Sequence, residues 1–139
     1  RNNMFHYQHE IRVRYAETDN MGYVYYGNYA TFYEVARTEM LRSTGISYKQ
    51  LEEMGVMLPV IELSCKFNKA AKYDDLVTIN IYIREKPGIR IKFEYELFNE
   101  SGELLNTGST QLVFVDMERN RPCKPPQIFI DKMAPFFGE

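Results

Sequence analysis

The residue best suited to chemistry in this sequence is Asp19, in the segment TDNMG at positions 18–22. Asp, Asn and Gly favour a turn, in which the carboxylate commonly accepts hydrogen bonds from its own backbone. The segment also lies a few residues before a predicted helix, where free backbone N–H groups and the helix dipole favour negative charge. This combination suits hydrolysis of an ester or thioester. The carboxylate would act as a general base or a nucleophile, and backbone N–H groups would hold the oxyanion.

Four tyrosines follow closely, and their residue type leaves two interpretations open. Some fit a hydrophobic core and others fit the lining of a substrate site, to which we assign Tyr25. Two charged residues farther along the chain are also assigned to substrate binding. Glu62 lies on the polar face of a predicted strand that can border a cleft, and Arg90 belongs to a basic set beside a Pro-Gly turn that can hold phosphates. On the predicted helix, Glu34 is expected to form a structural ion pair with Arg37.

The composition is that of an ordinary globular protein. The 139 residues are 45% hydrophobic and 26% charged, which fits a single domain spanning residues 1–139. A net charge of -2 provides no basic face, so we expect no nucleic-acid partner. No apolar run reaches the roughly 18 residues of a membrane span, and the first ten residues lack the apolar core of a signal peptide.

The cysteines and histidines argue against a metal centre or a disulfide framework. Cys65 and Cys123 form no CxxC motif, and we expect both to be reduced thiols in a cytoplasmic protein. His6 and His9 lie together near the N-terminus, and no other histidine is present to complete a site. The sequence therefore predicts no metal and no cofactor.

Hydrophobic periodicity predicts the elements that must position the candidate residues. Residues 10–17, EIRVRYAE, alternate as a half-buried strand. A long helix begins at Tyr29, with Asn28 as its N-cap, and its apolar residues recur at helical spacing up to a stop at Gly45. A second, short helix covers YKQLEEMG and ends at Gly55. The inward-facing residues of the first strand are expected to be Ile11, Val13 and Tyr15.

The second half of the chain is predicted as four strands paired as a meander, followed by a loop-rich tail with a short helix. This element order is α+β. The long helix, about 24 Å for some 16 residues, is too short to cover the sheet unless the sheet wraps around it. The strand edges carry no obvious protection such as prolines, so we expect a homodimer. The four strand segments are VIELSCKF, LVTINIYIRE, IRIKFEYELF and LLNTGSTQLVFVDM.

A long motif resembles a known family. The pattern Y-x-E-T-D-x-x-G-x-V-Y-Y-x-N-Y at residues 15–29, followed by F-Y-E-x-A-R-T-E-x-L, is similar to the opening of the 4-hydroxybenzoyl-CoA thioesterase group of hot-dog proteins. That group includes short-chain acyl-CoA thioesterases of the Tol-Pal type. The similarity continues through LPVIELSCKF and A-x-x-x-D-D-L-V. It implies an antiparallel sheet of about five strands wrapped around one long helix, in dimers that often pair into tetramers.

The resemblance also implies roles for individual residues. Asp19 matches the catalytic aspartate, and Tyr26 matches the helix-start position whose backbone N–H polarises the thioester carbonyl. Gly22 matches a glycine that lets the chain approach the substrate closely, and Asn28 matches a small polar residue that precedes the motif's last tyrosine. Both are expected to bind the substrate. Tol-Pal-type members carry a histidine where this chain has Tyr26, so a histidine-assisted variant is excluded; the benzoyl-type enzymes have an aromatic residue there.

The sequence therefore predicts an acyl-CoA thioesterase, with an acyl-CoA substrate and a homodimeric or homotetrameric assembly. Two alternatives stay open: a thioesterase that acts on acyl carrier protein, and a non-catalytic acyl-CoA-binding hot-dog protein. A hydratase or dehydratase is disfavoured, because such hot-dog enzymes usually place a histidine opposite the carboxylate and both histidines here are near the terminus.

Overall fold

The computed structural model describes residues 3–138. Its large strands are β1 (Phe5–Arg12), β3 (Val60–Phe67), β4 (Leu76–Ile83), β5 (Arg90–Phe98) and β6 (Leu104–Val113), and its helices are α1 (Asn28–Arg42), α2 (Tyr48–Glu53) and α3 (Gln127–Met133). The large strands form one antiparallel sheet in the order β1-β4-β5-β6-β3. The short strands β2 (Val56–Met57), β7 (Val115–Asp116) and β8 (Arg121–Pro122) form a second sheet, which the sequence did not predict. The predicted α+β class is confirmed.

Helix α1 is packed against the inner face of the sheet, where it meets β1 and β4. Alternate residues of β4 and β5 are buried, as expected for strands with one face on a core. The helix and the sheet meet at Tyr33 of α1, whose ring stacks on that of Tyr95 in β5 with the ring centroids 4.1 Å apart. Burial of these apolar faces is the main source of stability. The buried residues of α1 are Tyr29, Phe32, Tyr33, Ala36, Arg37, Met40 and Leu41.

A small polar network fixes the Tyr33 ring. Its hydroxyl donates to Asn106 Oδ1 and lies 3.3 Å from Cys65 Sγ, which Asn106 Nδ2 also approaches at 3.0 Å. Burial raises the pKa of Tyr33 far above its usual value. Gly108 lies directly against this ring, so that a Cβ there would be 2.6 Å from Tyr33 Cζ. The absence of a side chain at this position is what allows α1 to approach β6 closely.

The first strand was predicted in the wrong place. It covers Phe5–Arg12, where every residue pairs with β4, from Phe5 opposite Ile83 to Arg12 opposite Leu76. The chain then bends into a 3₁₀ turn at Tyr15–Glu17. The carboxylate of Glu17 accepts from the backbone N–H of Arg14 at 2.7 Å, which stabilises the turn. Tyr15, predicted to face inward, is therefore 78% exposed.

The predicted meander of four strands is correct only for β4, β5 and β6. Strand β3 pairs with β6 and not with β4, so it forms an edge of the sheet. Its residues are mostly exposed, including the apolar side chains that alternate along it. Sequence alternation gave the correct strand, but pairing partners are set by contacts far apart in the chain. The exposed large apolar residues of β3 are Val60, Ile61, Leu63 and Phe67.

Within residues 3–138, no helix has both the length and the apolar character needed to cross a membrane.

Candidate active site

The candidate site is built on the loop of residues 18–27, which connects the 3₁₀ turn to α1. Two isolated bridges shape the loop: Thr18 pairs with Val24 inside it, and Tyr23 pairs with Lys72, which ties the loop to the rest of the protein. The backbone N–H of Val24 also donates to the carbonyl of Ala71 at 2.9 Å. Val24 is buried, between the half-buried Tyr23 and the exposed Tyr25, so it anchors the middle of the loop to the core.

Asp19 is exposed, and its carboxylate has one oxygen engaged in the loop. Oδ1 accepts hydrogen bonds from the backbone N–H groups of Met21 at 2.9 Å and Tyr23 at 3.2 Å. Oδ2 has no hydrogen-bond partner among residues 3–138. The turn interpretation of Asp19 is thus confirmed, and the same contacts orient the carboxylate and leave one oxygen free to act on a substrate or a water molecule.

The start of α1 provides two backbone donors. The N–H groups of Asn28 and Tyr29 already donate to the carbonyls of Tyr25 and Tyr26, at 2.9 Å and 3.3 Å. In contrast, the N–H groups of Tyr26 and Gly27 donate to no acceptor in the described part of the chain. Unpaired N–H groups at a helix start are well placed to stabilise developing negative charge.

Asn28 is the first residue of α1 and not its N-cap, so this prediction was wrong. Its side chain does not accept from the helix; its Nδ2 donates to the carbonyl of Glu17 at 2.8 Å. The same carbonyl accepts from the backbone N–H of Tyr25 at 2.9 Å. The Asn28 side chain therefore ties the helix start to Glu17, which directly precedes the loop of residues 18–27. This role needs a donor, and residue type alone did not reveal it.

Replacing Asn28 with alanine is expected to lower the free energy of unfolding by about 1 kcal/mol, because one partly buried hydrogen bond is lost. Urea unfolding followed by circular dichroism measures this change. Asn68→Ala, at an exposed position whose side chain makes no hydrogen bond among residues 3–138, is the control and should stay within about 0.5 kcal/mol of the parent. Equal effects of the two substitutions would contradict a special role for Asn28.

The predicted glycine and tyrosine positions also lie in this loop. Gly22 has φ of +81°, which favours glycine, and a Cβ there would meet no atom within 4 Å. The rings of Tyr25 and Tyr26 are 4.8 Å apart and are 50% and 66% exposed. A hydrogen bond with Tyr26 raises the pKa of Tyr25. These two tyrosines thus form surface and not core, whereas Tyr29 is buried.

A cavity of about 200 Å³ adjoins the helix start. Tyr26 and Tyr29 form one side, and Phe67 at the end of β3 forms another, with its ring 5.5 Å from that of Tyr29. Lys69 lies at the rim and pairs with Glu103 at 2.8 Å. Phe67 and Lys69 were not predicted as site residues. The sequence held one signal for Phe67: the apolar alternation of β3 extends to this residue, at the end of the strand, which α1 does not cover.

Three other sequence predictions lie outside this loop. Glu62 is exposed on β3 opposite Gln111, and Arg90 begins β5 opposite Val113. Among residues 3–138 neither makes a hydrogen bond or ion pair with the loop, so their assignment to the substrate stays a prediction. Glu34 does not form the predicted ion pair with Arg37. The Arg37 side chain turns into the protein and is only 8% exposed, while Glu34 lines a separate cavity.

Comparison with known proteins decides the family. A sequence model described as "Thioesterase superfamily" matches residues 21–106, which is more than half of the chain. The chain belongs to the thioesterase superfamily. The predicted enzyme class, thioester hydrolase, is confirmed with it. The matched region contains the helix start, all of α1 and most of the large sheet.

Individual members of the thioesterase superfamily agree with this assignment. The acyl-CoA thioester hydrolase YbgC of Escherichia coli O6:H1 is 32% identical over 120 residues, which are 86% of this chain and 90% of that protein. YneP of Bacillus subtilis is 34% identical over 122 residues, 88% of each chain. The solved structure of a DHNA-CoA thioesterase from Staphylococcus aureus has a TM-score of 0.84 and 38% identity, covering 91% of this chain and 85% of the other. The predicted hot-dog fold is confirmed.

Proposed function

We propose that this protein hydrolyses an acyl-CoA thioester to a free acid and CoA. One observation carries the proposal: a single loop holds the Asp19 carboxylate by one oxygen and ends at the unpaired N–H groups of Tyr26 and Gly27. The names of the relatives support it, because YbgC is an acyl-CoA thioester hydrolase and the Staphylococcus aureus protein is a DHNA-CoA thioesterase. The free thiols of both cysteines agree with a cytoplasmic location, which is part of the proposal.

The proposed chemistry needs only groups that the chain supplies. The Tyr26 N–H donates to the thioester carbonyl oxygen and stabilises the negative charge that develops there. If Asp19 is a base, it removes a proton from water, whose oxygen attacks the carbonyl carbon. If Asp19 is a nucleophile, its oxygen attacks the same carbon and water then hydrolyses the acyl-enzyme anhydride. In both cases the C–S bond breaks, CoA leaves as a thiolate and the thiolate takes up a proton.

A hydrolysis panel tests this function directly. Short aliphatic, long aliphatic and aromatic acyl-CoAs are incubated with the purified chain, and released CoA is followed with a thiol reagent. We expect turnover of at least one class at a rate far above that of buffer. Binding of acyl-CoA without any thiol release would contradict hydrolysis and would favour the second candidate, a non-catalytic acyl-CoA-binding protein.

The carrier of the acyl group is tested separately. An acyl-carrier-protein thioesterase would use the same Asp19 chemistry but would require contacts with the carrier protein. The same acyl group is therefore offered on free CoA and on carrier protein at equal concentrations. A kcat/KM that is higher for free CoA supports the proposal, and the opposite order would transfer the assignment to the carrier-protein enzyme.

Recognition of CoA is assigned in part to Arg90. It lies beside the β4-β5 turn with Arg84 and Lys92, and an arginine can bind phosphate by two parallel hydrogen bonds. Arg84 is already engaged, since its Nε donates to Glu94 at 3.2 Å and its guanidinium lies 4.2 Å from the centre of the Tyr82 ring. Arg90 makes no ion pair among residues 3–138 and is therefore the better phosphate ligand of the two.

We also propose that two copies associate through β3. This strand is an edge of the sheet, so it presents unpaired backbone groups, and its apolar side chains Ile61, Leu63 and Phe67 are about half exposed. An exposed apolar edge strand in a monomer would promote aggregation. A second copy placed antiparallel along β3 would satisfy the backbone and cover the apolar row next to the cavity at Phe67.

Replacing Leu63 with glutamate is expected to weaken this association by about 100-fold, because a charge would be buried in an apolar interface. Sedimentation analysis should show the parent at twice the chain mass of 16.4 kDa and the variant shifting toward 16.4 kDa on dilution. Ile128→Glu, on the exposed side of α3, is the matched control and should leave the mass unchanged. A parent that sediments as a monomer would rule out the interface.

A further inference from the structure

The residue that precedes α1, Gly27, lies directly against an aromatic ring. A Cβ at this position would be 2.8 Å from Tyr25 Cε2 and 3.2 Å from Tyr25 Cδ2, and the three atoms nearest to it all belong to that ring. The backbone at Gly27 does not itself require glycine, because its φ of −64° and ψ of −20° are helical values open to any residue. The missing side chain therefore serves the close approach of the Tyr25 ring.

This contact places the Tyr25 ring beside the unpaired N–H of Gly27. At a φ of −64° the Cβ position and the N–H lie on the same side of the N–Cα bond, so a ring in contact with one is close to the other. The backbone of Tyr25 encloses the same region. Its carbonyl accepts from the N–H of Asn28 at 2.9 Å, which closes a turn around Tyr26 and Gly27. Ring and turn together surround the two unpaired donors.

A second ring supports the first. The rings of Tyr25 and Tyr26 lie 4.8 Å apart at an interplanar angle of 41°. A hydrogen bond joins the two side chains, and it raises the pKa of Tyr25. Tyr25 is half exposed, so part of its ring faces solvent while the part that contacts Gly27 is covered. The pair thus forms a small apolar surface over the start of α1.

An apolar surface at this place affects how strongly the N–H groups can stabilise negative charge. A free N–H on an open surface binds water, which a substrate oxygen must displace. An aromatic ring is at most a weak acceptor, so it excludes water from a donor without pairing strongly with it. Exclusion of water also lowers the local dielectric constant, which strengthens the attraction between an N–H group and a developing oxyanion.

We propose that Tyr25 is a positioning residue for thioester hydrolysis: its ring, in contact with Gly27, keeps water away from the N–H groups that bind the thioester oxygen. The inference rests on the proposed thioesterase function. Gly27 belongs to the same arrangement, because only a residue without a side chain leaves space for the ring. A ring with this role raises kcat, whereas a ring that only bound the substrate would lower KM and leave kcat unchanged.

The first test separates kcat from KM in Tyr25→Ala. Loss of the ring is expected to lower kcat by about tenfold or more and to change KM by less than about threefold. Tyr25→Phe keeps the ring and should retain kcat within about twofold. Tyr73→Ala is the matched control, since Tyr73 is 55% exposed and also contacts a second tyrosine ring, that of Tyr15. It should leave both constants unchanged. A raised KM at constant kcat in Tyr25→Ala would overturn the proposal.

Gly27→Ala tests the same contact from the other side, because the added methyl group must displace the ring. We expect kcat to fall by about fivefold or more in the parent but by less than about twofold in Tyr25→Ala, where no ring is left to displace. Gly88→Ala, whose Cβ would meet no atom within 4 Å, is the control. An unchanged kcat in Gly27→Ala, or an equal loss in both backgrounds, would contradict the role of the ring.

Amide hydrogen exchange, followed by NMR without substrate, separates this inference from the proposed function. The N–H of Gly27 should exchange about fivefold faster or more in Tyr25→Ala than in the parent, while the N–H of Asn28, which is bonded within the turn, stays within about twofold. Equal exchange of the Gly27 N–H in both proteins, or faster exchange of both amides, would overturn the proposal. Faster exchange of Gly27 alone, in a protein that hydrolyses no acyl-CoA, would support the covering ring and refute the proposed function.

Discussion

Replacing Asp19 with asparagine is expected to lower kcat for thioester hydrolysis by about 10²–10⁴-fold, the usual contribution of a positioned general acid or base. The change is conservative for the structure, because the amide oxygen of asparagine can still accept from the N–H groups of Met21 and Tyr23. The substitution removes the charge and the basicity of Oδ2, the Asp19 oxygen that has no hydrogen-bond partner among residues 3–138. Initial rates with the preferred acyl-CoA measure the effect, and thermal unfolding confirms that the loop is preserved.

Asp116→Asn is the matched control for this prediction. Asp116 has the same local arrangement, since its Oδ1 accepts from the backbone N–H groups of Glu118 at 2.9 Å and Arg119 at 3.1 Å. It belongs to the small sheet and not to the loop before α1. Its replacement should leave kcat within about twofold of the parent. An Asp19→Asn protein that is folded and fully active would refute the catalytic role of this carboxylate.

A single-turnover experiment in H₂¹⁸O separates the two mechanisms. If Asp19 is a nucleophile, water attacks the anhydride afterwards and can leave ¹⁸O in the aspartate, which mass spectrometry of the peptide containing residue 19 detects. If Asp19 is a base, all of the label enters the released acid. The geometry at Asp19 permits both routes, because its free oxygen can face either a carbonyl carbon or a water molecule.

Replacing Gly108 with alanine is expected to lower the free energy of unfolding by about 3 kcal/mol, near the upper end of the usual cost of overpacking a core. The added Cβ would overlap the ring of Tyr33, 2.6 Å from its Cζ. That ring cannot move aside easily, since it is fully buried, stacked on Tyr95 and hydrogen-bonded to Asn106. Chemical denaturation measures the loss, and the melting temperature should fall by roughly 10 °C.

The matched control is Gly88→Ala, in the β4-β5 turn. A Cβ at Gly88 would meet no atom within 4 Å, and its φ lies outside the left-handed region. The substitution should change stability by no more than about 0.5 kcal/mol. Gly108→Ala combined with Tyr33→Leu should cost less than the sum of the two single changes, because the smaller side chain removes the overlap. If the two changes in unfolding free energy simply add, overlap with the Tyr33 ring is not the cause of the loss.

Several features of the site followed from local chemistry and were predicted. The turn around Asp19 and the helix that follows depend on residues adjacent in the chain. Asn28 shows the limit of this approach. Its type suggested an N-cap, but the structure uses its amide as a donor to Glu17, eleven residues earlier. Side-chain partners across a loop are decided by the path of that loop, which residue type does not encode.

The sheet shows the same division on a larger scale. Alternating apolar residues identified β3, β4, β5 and β6 as strands, because the side-chain period of two is local. The pairing of β3 with β6 was missed, since it joins residues 39 to 52 positions apart. The ion pair predicted between Glu34 and Arg37 does not form, for a related reason. Helical spacing brings them close enough to pair, but the neighbouring phenols of Tyr48 and Tyr95 draw Arg37 into the protein.

The sequence by itself determined the helices α1 and α2, the strands β3 to β6, the α+β class, the family and the position of the carboxylate beside a helix start. These properties rest on periodicity, turn chemistry and a long local motif. Only the tertiary structure decided which backbone N–H groups remain unpaired, which strand forms the exposed edge, and why the Arg37 side chain is buried. Each of these depends on what distant segments do or do not cover, and burial and hydrogen-bond satisfaction are properties of the folded chain as a whole.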